Sequence, residues 1–170
     1  MPLVLGGSSA AAAAYSIDNS CRFNQPDDAS MTLTMGTPTN ADKFSLSMWV
    51  KRGSRLNEEG TLYTGGTSSS NGDILHFYGT GELQWQMYHG SYVGRLKTNR
   101  QFLDSSAWYH FLFVYDSGNA DASLRMRIYI NGTEETSFDL DVNPALNLDS
   151  LINSANLPKP PPISQKFFMF

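Results

Sequence analysis

Cysteine is almost absent. Cys21 is the single one in 170 residues, so no intrachain disulfide can form and no thiol cluster can hold a metal; the residue is expected to serve as a small buried hydrophobe. Charge is also scarce, at 16% of residues with a net value of −4. A nucleic-acid partner needs a concentrated basic face, so none is expected. The small basic clusters Lys51, Arg52 and Arg55, and Arg95, Lys97 and Arg100, read as solvated loop and strand-end charges. No apolar run approaches the roughly 18 residues of a membrane span. The first twenty residues carry one acidic and no basic side chain, so they lack the positive start of a secretory leader and are expected to be retained.

Catalytic and metal motifs are missing too. Glu58-Glu59 and Glu134-Glu135 are sequence neighbours whose side chains diverge to opposite faces in a strand. Asp139 and Asp141 do share a strand face, at roughly 6.6 Å of rise, and read as a solvated strand edge rather than a catalytic pair. His76, His89 and His110 have no partner at metal-ligand spacing and no nucleophile elbow beside them. The loops Asp116–Asp121 and Asn71–Asp73 offer oxygen ligands, and turn chemistry accounts for both without an ion. No metal and no cofactor is therefore expected, calcium being the one ion for which oxygen donors exist. Asn131-Gly132-Thr133 matches a glycosylation acceptor formally, and the turn reading is preferred.

What is present is a series of short strand patterns. Trp108 to Tyr115 is rich in aromatic and β-branched residues, the composition of a central strand buried on both faces. Leu124, Met126, Ile128 and Ile130 alternate with Arg125, Arg127 and Tyr129, one face apolar and the other wet. Asn131-Gly132 predicts a type I′ turn, with Thr133 to Phe138 returning antiparallel. Earlier strands are expected at 20–23, Met31–Met35, Phe44–Val50, Thr61–Thr64 (ended by Gly65-Gly66), Ile74–Tyr78, Leu83–Tyr88 and Tyr92–Thr98, with Leu83, Trp85 and Met87 inward. Strands recurring about every ten residues without helical periodicity predict an all-β, antiparallel two-sheet sandwich. At this length one domain burying about 70% of its unfolded surface suffices. The expected division is an extended N-terminal arm (1–19), the sandwich (20–153), and an irregular Pro-rich and Phe-rich C-terminal tail (154–170). A proline run lacks ladder donors, so the tail is not expected in a central strand.

Three segments carry a resemblance. Phe44-x-Leu46-x-Met48-Trp49-Val50-Lys51-Arg52-Gly53, Trp108-Tyr109-His110 leading to Asp116, and Ile128-Tyr129-Ile130-Asn131-Gly132, in that order, resemble concanavalin A-like, laminin G-like jelly rolls. With Cys21-Arg22-Phe23-Asn24 near the start, the version is similar to laminin G-like proteins of tailed bacteriophages. The resemblance implies a non-enzymatic virion protein, either a tail fibre or adhesin or a capsid decoration, assembled in the host cytoplasm. Its implied partners are other virion proteins, further copies of itself as in a trimer, and host-surface glycans. Glycanases of this fold carry a Glu-x-Asp-x-x-Glu-like set on one strand, which this sequence lacks. A glycanase, or a free lectin, is the competing reading. For a sugar site the best segment is Tyr88 to Arg95, with Tyr88, His89, Tyr92 and Arg95 as an aromatic plate flanked by hydrogen-bonding groups; the alternative is a hairpin connection whose tyrosines cover the sheet. Leu3, Leu5, Phe167, Phe168 and Phe170 are the candidate assembly contacts, because a terminal Phe-Phe-Met-Phe left in water is an aggregation hazard.

Overall fold

The computed structural model describes residues 21–23, 29–33, 36–53, 58–68, 70–153 and 167–169. Eleven strands form two antiparallel sheets. The first sheet has the order β1 (Cys21–Phe23), β11 (Phe167–Met169), β2 (Lys43–Arg52), β7 (Trp108–Asp116), β8 (Met126–Ile130), β9 (Thr133–Glu134). The second has the order β10 (Phe138–Val142), β6 (Tyr92–Gln101), β5 (Glu82–His89), β4 (Asn71–Phe77), β3 (Gly60–Ser68). The only helix among the described residues is a single 3-10 turn over Ala122–Leu124. No described helix is long and apolar enough to cross a membrane.

Alternation decides which face goes in. Along β5, Leu83, Trp85 and Met87 are fully buried, as the period of two requires, and along β2 Met48 and Val50 are buried while Trp49 is exposed. The two inner faces meet in an aromatic core. Trp85 lies edge-on to Phe113 at 5.7 Å, and Phe77 packs against Phe102 and Phe111 at 5.5 and 5.9 Å. The Asn131-Gly132 turn has φ values of 52° and 82°, the positive pair that a type I′ hairpin needs.

Several expectations are corrected. β7 is central, yet only Phe111, Phe113 and Tyr115 are buried; its other face is half-buried because no second layer covers that side of the sheet among the described residues. Leu124 is not on the β8 stripe but in the 3-10 turn, exposed, since the Asp121 side chain caps that turn. Residues 31–33 form no strand, and Met31 and Leu33 are exposed: the position beside β2 is taken by β11, leaving no ladder for them. The tail is not irregular throughout, because Phe167–Met169 pairs with β1 on one side and β2 on the other. Past the prolines the backbone regains its donors. Cys21 is exposed rather than buried, and Arg52 is buried rather than solvated, donating to the Phe102 carbonyl at 2.8 Å and lying 4.6 Å over the Phe77 ring. The arm, with Leu3 and Leu5, the proline run and Phe170 lie outside the described residues.

Gly65-Gly66 does not end β3, which runs on to Ser68. The chain segment after Asn147 crosses here, and a Cβ on Gly65 would stand 2.5 Å from the Leu151 carbonyl oxygen. Both neighbours are backbone, so neither side can yield. Gly65→Ala is expected to destabilise the fold by about 1–3 kcal/mol, read as a lower denaturant midpoint with an unchanged m-value.

Candidate functional site

The outward face of the five-stranded sheet is built by the residues alternating with its core positions. The register sets Gln84 opposite both His76 and Lys97, and Gln86 opposite Ile74 and Arg95. Gln84 is fully buried on this side and is completely satisfied. Its Nε2 donates to Nε2 of His76 at 3.0 Å and to Oε1 of Gln86 at 2.7 Å, and its Oε1 accepts from Nε of Arg95 at 3.0 Å. These bonds assign the amide orientation and require His76 to present an unprotonated Nε2. Burial, seconded by the Arg95 charge, pushes the His76 pKa down to about 4, which keeps the ring in that acceptor form.

Arg95 is held from three sides. Besides Gln84, its Nη2 donates to the Tyr78 hydroxyl at 3.2 Å, and its guanidinium lies 4.3 Å over the Tyr92 ring. Tyr92 is 48% exposed and stands edge-on to Tyr88 at 5.0 Å. Next to them, Lys97 donates to Asp139 at 3.0 Å and lies 5.1 Å over the Tyr78 ring; the Asp139 bond raises its pKa. The result is a floor of oriented amides, a neutral imidazole and a stacked guanidinium beside two tyrosines. Such a surface can hydrogen-bond hydroxyls and stack against an apolar ring face.

Of the four expected site residues, Tyr88, Tyr92 and Arg95 come together here. His89 does not join them: its Nε2 bonds Oδ1 of buried Asp73 at 2.8 Å. Tyr78, Gln84 and Gln86 were not singled out by the sequence, and His76 and Lys97 were weighed only as a lone histidine and a solvated charge. The signal for the amides lies in β5, where Gln84 and Gln86 alternate with the inward Leu83, Trp85 and Met87.

The depressed His76 pKa has a consequence for stability. The unfolded chain takes up this proton near the ordinary 6.5 and the folded chain only near 4, so the contribution is full above the former and lost as pH falls to the latter, by up to about 3 kcal/mol. Urea unfolding of wild type should therefore weaken between pH 6.5 and 4, with a smaller loss in His76→Gln. Equal losses in both would refute the assignment.

Asp139 and Asp141 form no hydrolytic pair. Asp139 is engaged by Lys97, and Asp141 accepts from the Asn143 amide at 3.0 Å. His110 bonds Ser47 at 2.8 Å beside Trp49 on the other sheet. Among the described residues no three His, Cys, Asp or Glu side chains gather as a metal site. Asp73 is committed to His89, Ser150 and the Leu151 amide, and Asp121 to Ser123, so neither is a free ligand. Side-chain oxygens gather instead around Gly118. Asp42 Oδ2, Asp116 Oδ1 and Asn147 Oδ1 all lie within 3.7 Å of the point a Gly118 Cβ would occupy. Oδ1 of Asp42 and Oδ1 of Asp116 are buried without a hydrogen-bond partner, which leaves two carboxylate oxygens uncompensated. Lys43 meets the other oxygen of Asp116 at 3.1 Å.

A family model described as the concanavalin A-like lectin/glucanases superfamily matches residues 25–158. Among solved structures, the CBM40 domain of the Ruminococcus gnavus IT-sialidase, bound to α2,3-sialyllactose, aligns over 88% of this chain and 89% of its own, at 10% identity and a TM-score of 0.50. Domains LG4-5 of the mouse laminin α1 chain align over 99% of this chain and 39% of theirs, at 16% identity and a TM-score of 0.48. A search of curated proteins finds no relative.

Proposed function

The chain belongs to the concanavalin A-like lectin/glucanases superfamily, and we propose that it is a non-enzymatic, glycan-binding member carried on a bacteriophage particle. The glycan reading rests on the Gln84-centred network, which holds Gln86 and the Arg95 guanidinium in fixed orientations beside the exposed Tyr92. Preorganised groups of this kind cost little ordering entropy on binding. The virion reading is supported by the resemblance of the Phe44–Gly53, Trp108–Asp116 and Ile128–Gly132 segments to laminin G-like phage proteins. Either a tail fibre or adhesin, or a head decoration, would place this face outward towards the host. The arm and the Phe-rich end would hold the subunit to other virion proteins or to copies of itself, a trimer being the expected fibre state. The glycanase alternative is disfavoured because Asp139 and Asp141 are each bonded to a neighbour other than a second carboxyl.

Calcium belongs to the same proposal. Asp42, Asp116 and Asn147 would hold it, and it would neutralise the two buried carboxylate oxygens and tie β2 and β7 to the segment after β10. Added calcium should raise the unfolding temperature of wild type and leave that of Asp42→Asn unmoved; no shift in wild type would remove the ion from the account.

Mass spectrometry of purified particles, with a glycan array probed by the isolated protein, tests the function. Presence in particles together with saturable glycan binding is the expected result. Absence from particles would point to a free lectin, and cleavage of any arrayed glycan would restore the enzyme reading.

A further inference from the structure

One cation of the sheet face has no anionic partner among the described residues. Lys97 is neutralised by Asp139 at 3.0 Å, and His76 is bonded as a neutral ring. Arg95 is different: its bonds go to an amide oxygen and a phenol, both uncharged. Among the described residues no carboxylate stands within ion-pairing distance of it. Its Nη1, with two N–H donors, has no partner among the described residues. A half-buried guanidinium normally finds a carboxylate, since its desolvation is otherwise uncompensated. Here Gln84, Tyr78 and the Tyr92 ring hold the group in one orientation and leave its remaining donors open.

Resting on the glycan reading above, we infer that the ligand is a saccharide bearing a carboxylate, a sialic or uronic acid, whose carboxylate is received by the open Nη1 donors of Arg95. Guanidinium and carboxylate match in a planar, charge-assisted pair that an ammonium cannot reproduce. Tyr92, stacked on the guanidinium and half exposed, is placed to contact the sugar ring, and Gln86, whose amide oxygen already accepts from Gln84, offers its amide nitrogen to a hydroxyl. A polysulfated chain is a poorer match, because such ligands need several uncompensated cations and the described residues of this face offer one.

Calorimetry with sialyllactose, an oligouronate, and neutral lactose as the uncharged comparison tests the inference. Wild type should bind one of the acidic sugars at least about tenfold more tightly than lactose, a difference near 1.4 kcal/mol. Arg95→Gln should lose that preference, Arg95→Lys should recover part of it, and Arg127→Gln, which removes a charge from the opposite sheet, should keep it in full. Thermal unfolding verifies that each variant is folded. Which of the two acids binds identifies the source of the carboxylate. Equal binding of acidic and neutral sugars by wild type, or an undiminished acidic preference in folded Arg95→Gln, overturns the inference while leaving glycan binding intact. Failure of all three sugars together with a blank glycan array overturns the glycan reading itself.

Discussion

Replacing Trp85 with alanine is expected to lower the unfolding free energy by about 3–5 kcal/mol, the range for truncating a large buried aromatic. Trp85 is fully buried at the middle of β5 and contacts Phe113, Tyr115 and Phe44 at centroid distances of 5.7, 6.0 and 6.1 Å. Those three rings come from β7 and β2 of the opposite sheet, so the indole is a main tie between the layers. The same residue lies directly behind the polar face, between Gln84 and Gln86 in sequence. Its loss should loosen that face as well. A single domain of this size holds about 5–15 kcal/mol in total, so this one substitution removes a sizeable share of the stability. A loss under 1 kcal/mol in equilibrium denaturation would mean that the sheets are held together elsewhere.

Asp73→Ala should be almost as damaging, at about 3–5 kcal/mol, because it removes one partner of a buried charged network. Asp73 has no exposure; one carboxylate oxygen meets His89 at 2.8 Å and the other accepts from the Ser150 hydroxyl and the Leu151 amide, both at 2.7 Å. The chain around Ser150 also bonds the first sheet's side, with the Ser150 amide on the Ala41 carbonyl at 3.1 Å and the Leu148 carbonyl accepting from Tyr115 and Ser117. Asp73 is thus the anchor of a strap that spans both sheets. Its replacement leaves three donors without an acceptor. Hydrogen exchange should show early opening at the Leu151 and Ile152 amides in the variant. Unchanged protection there would contradict the strap.

What could be read directly from the sequence was what a strand period or a turn dipeptide specifies locally. Leu83, Trp85 and Met87 announce their inward face by alternation, and Asn131-Gly132 announces its hairpin by requiring two positive φ values. What escaped depends on contacts distant in sequence. The Asp73–Ser150 bond joins residues 77 apart. The insertion of Phe167–Met169 between β1 and β2 depends on which of two candidate segments wins one sheet position, and Met31–Leu33, with the cleaner alternation, loses it. At the candidate site, Tyr88, Tyr92 and Arg95 were visible as an aromatic cluster with a cation. Gln84, at its centre, was not, because a glutamine becomes a site residue only when the register sets it between His76 and Lys97. His89 looked equivalent to its neighbours and is instead consumed by the strap.

The central claim is that the outward face of the five-stranded sheet binds a glycan. Titrating isotope-labelled protein with the strongest glycan from the array, and following the side-chain amide signals of Gln84 and Gln86 with the Nε of Arg95, tests it most directly. The account predicts saturable shifts centred on these groups and on Tyr92. Saturable shifts centred instead on Trp49 and Tyr129 of the other sheet, with the glutamine amides unmoved, would contradict it.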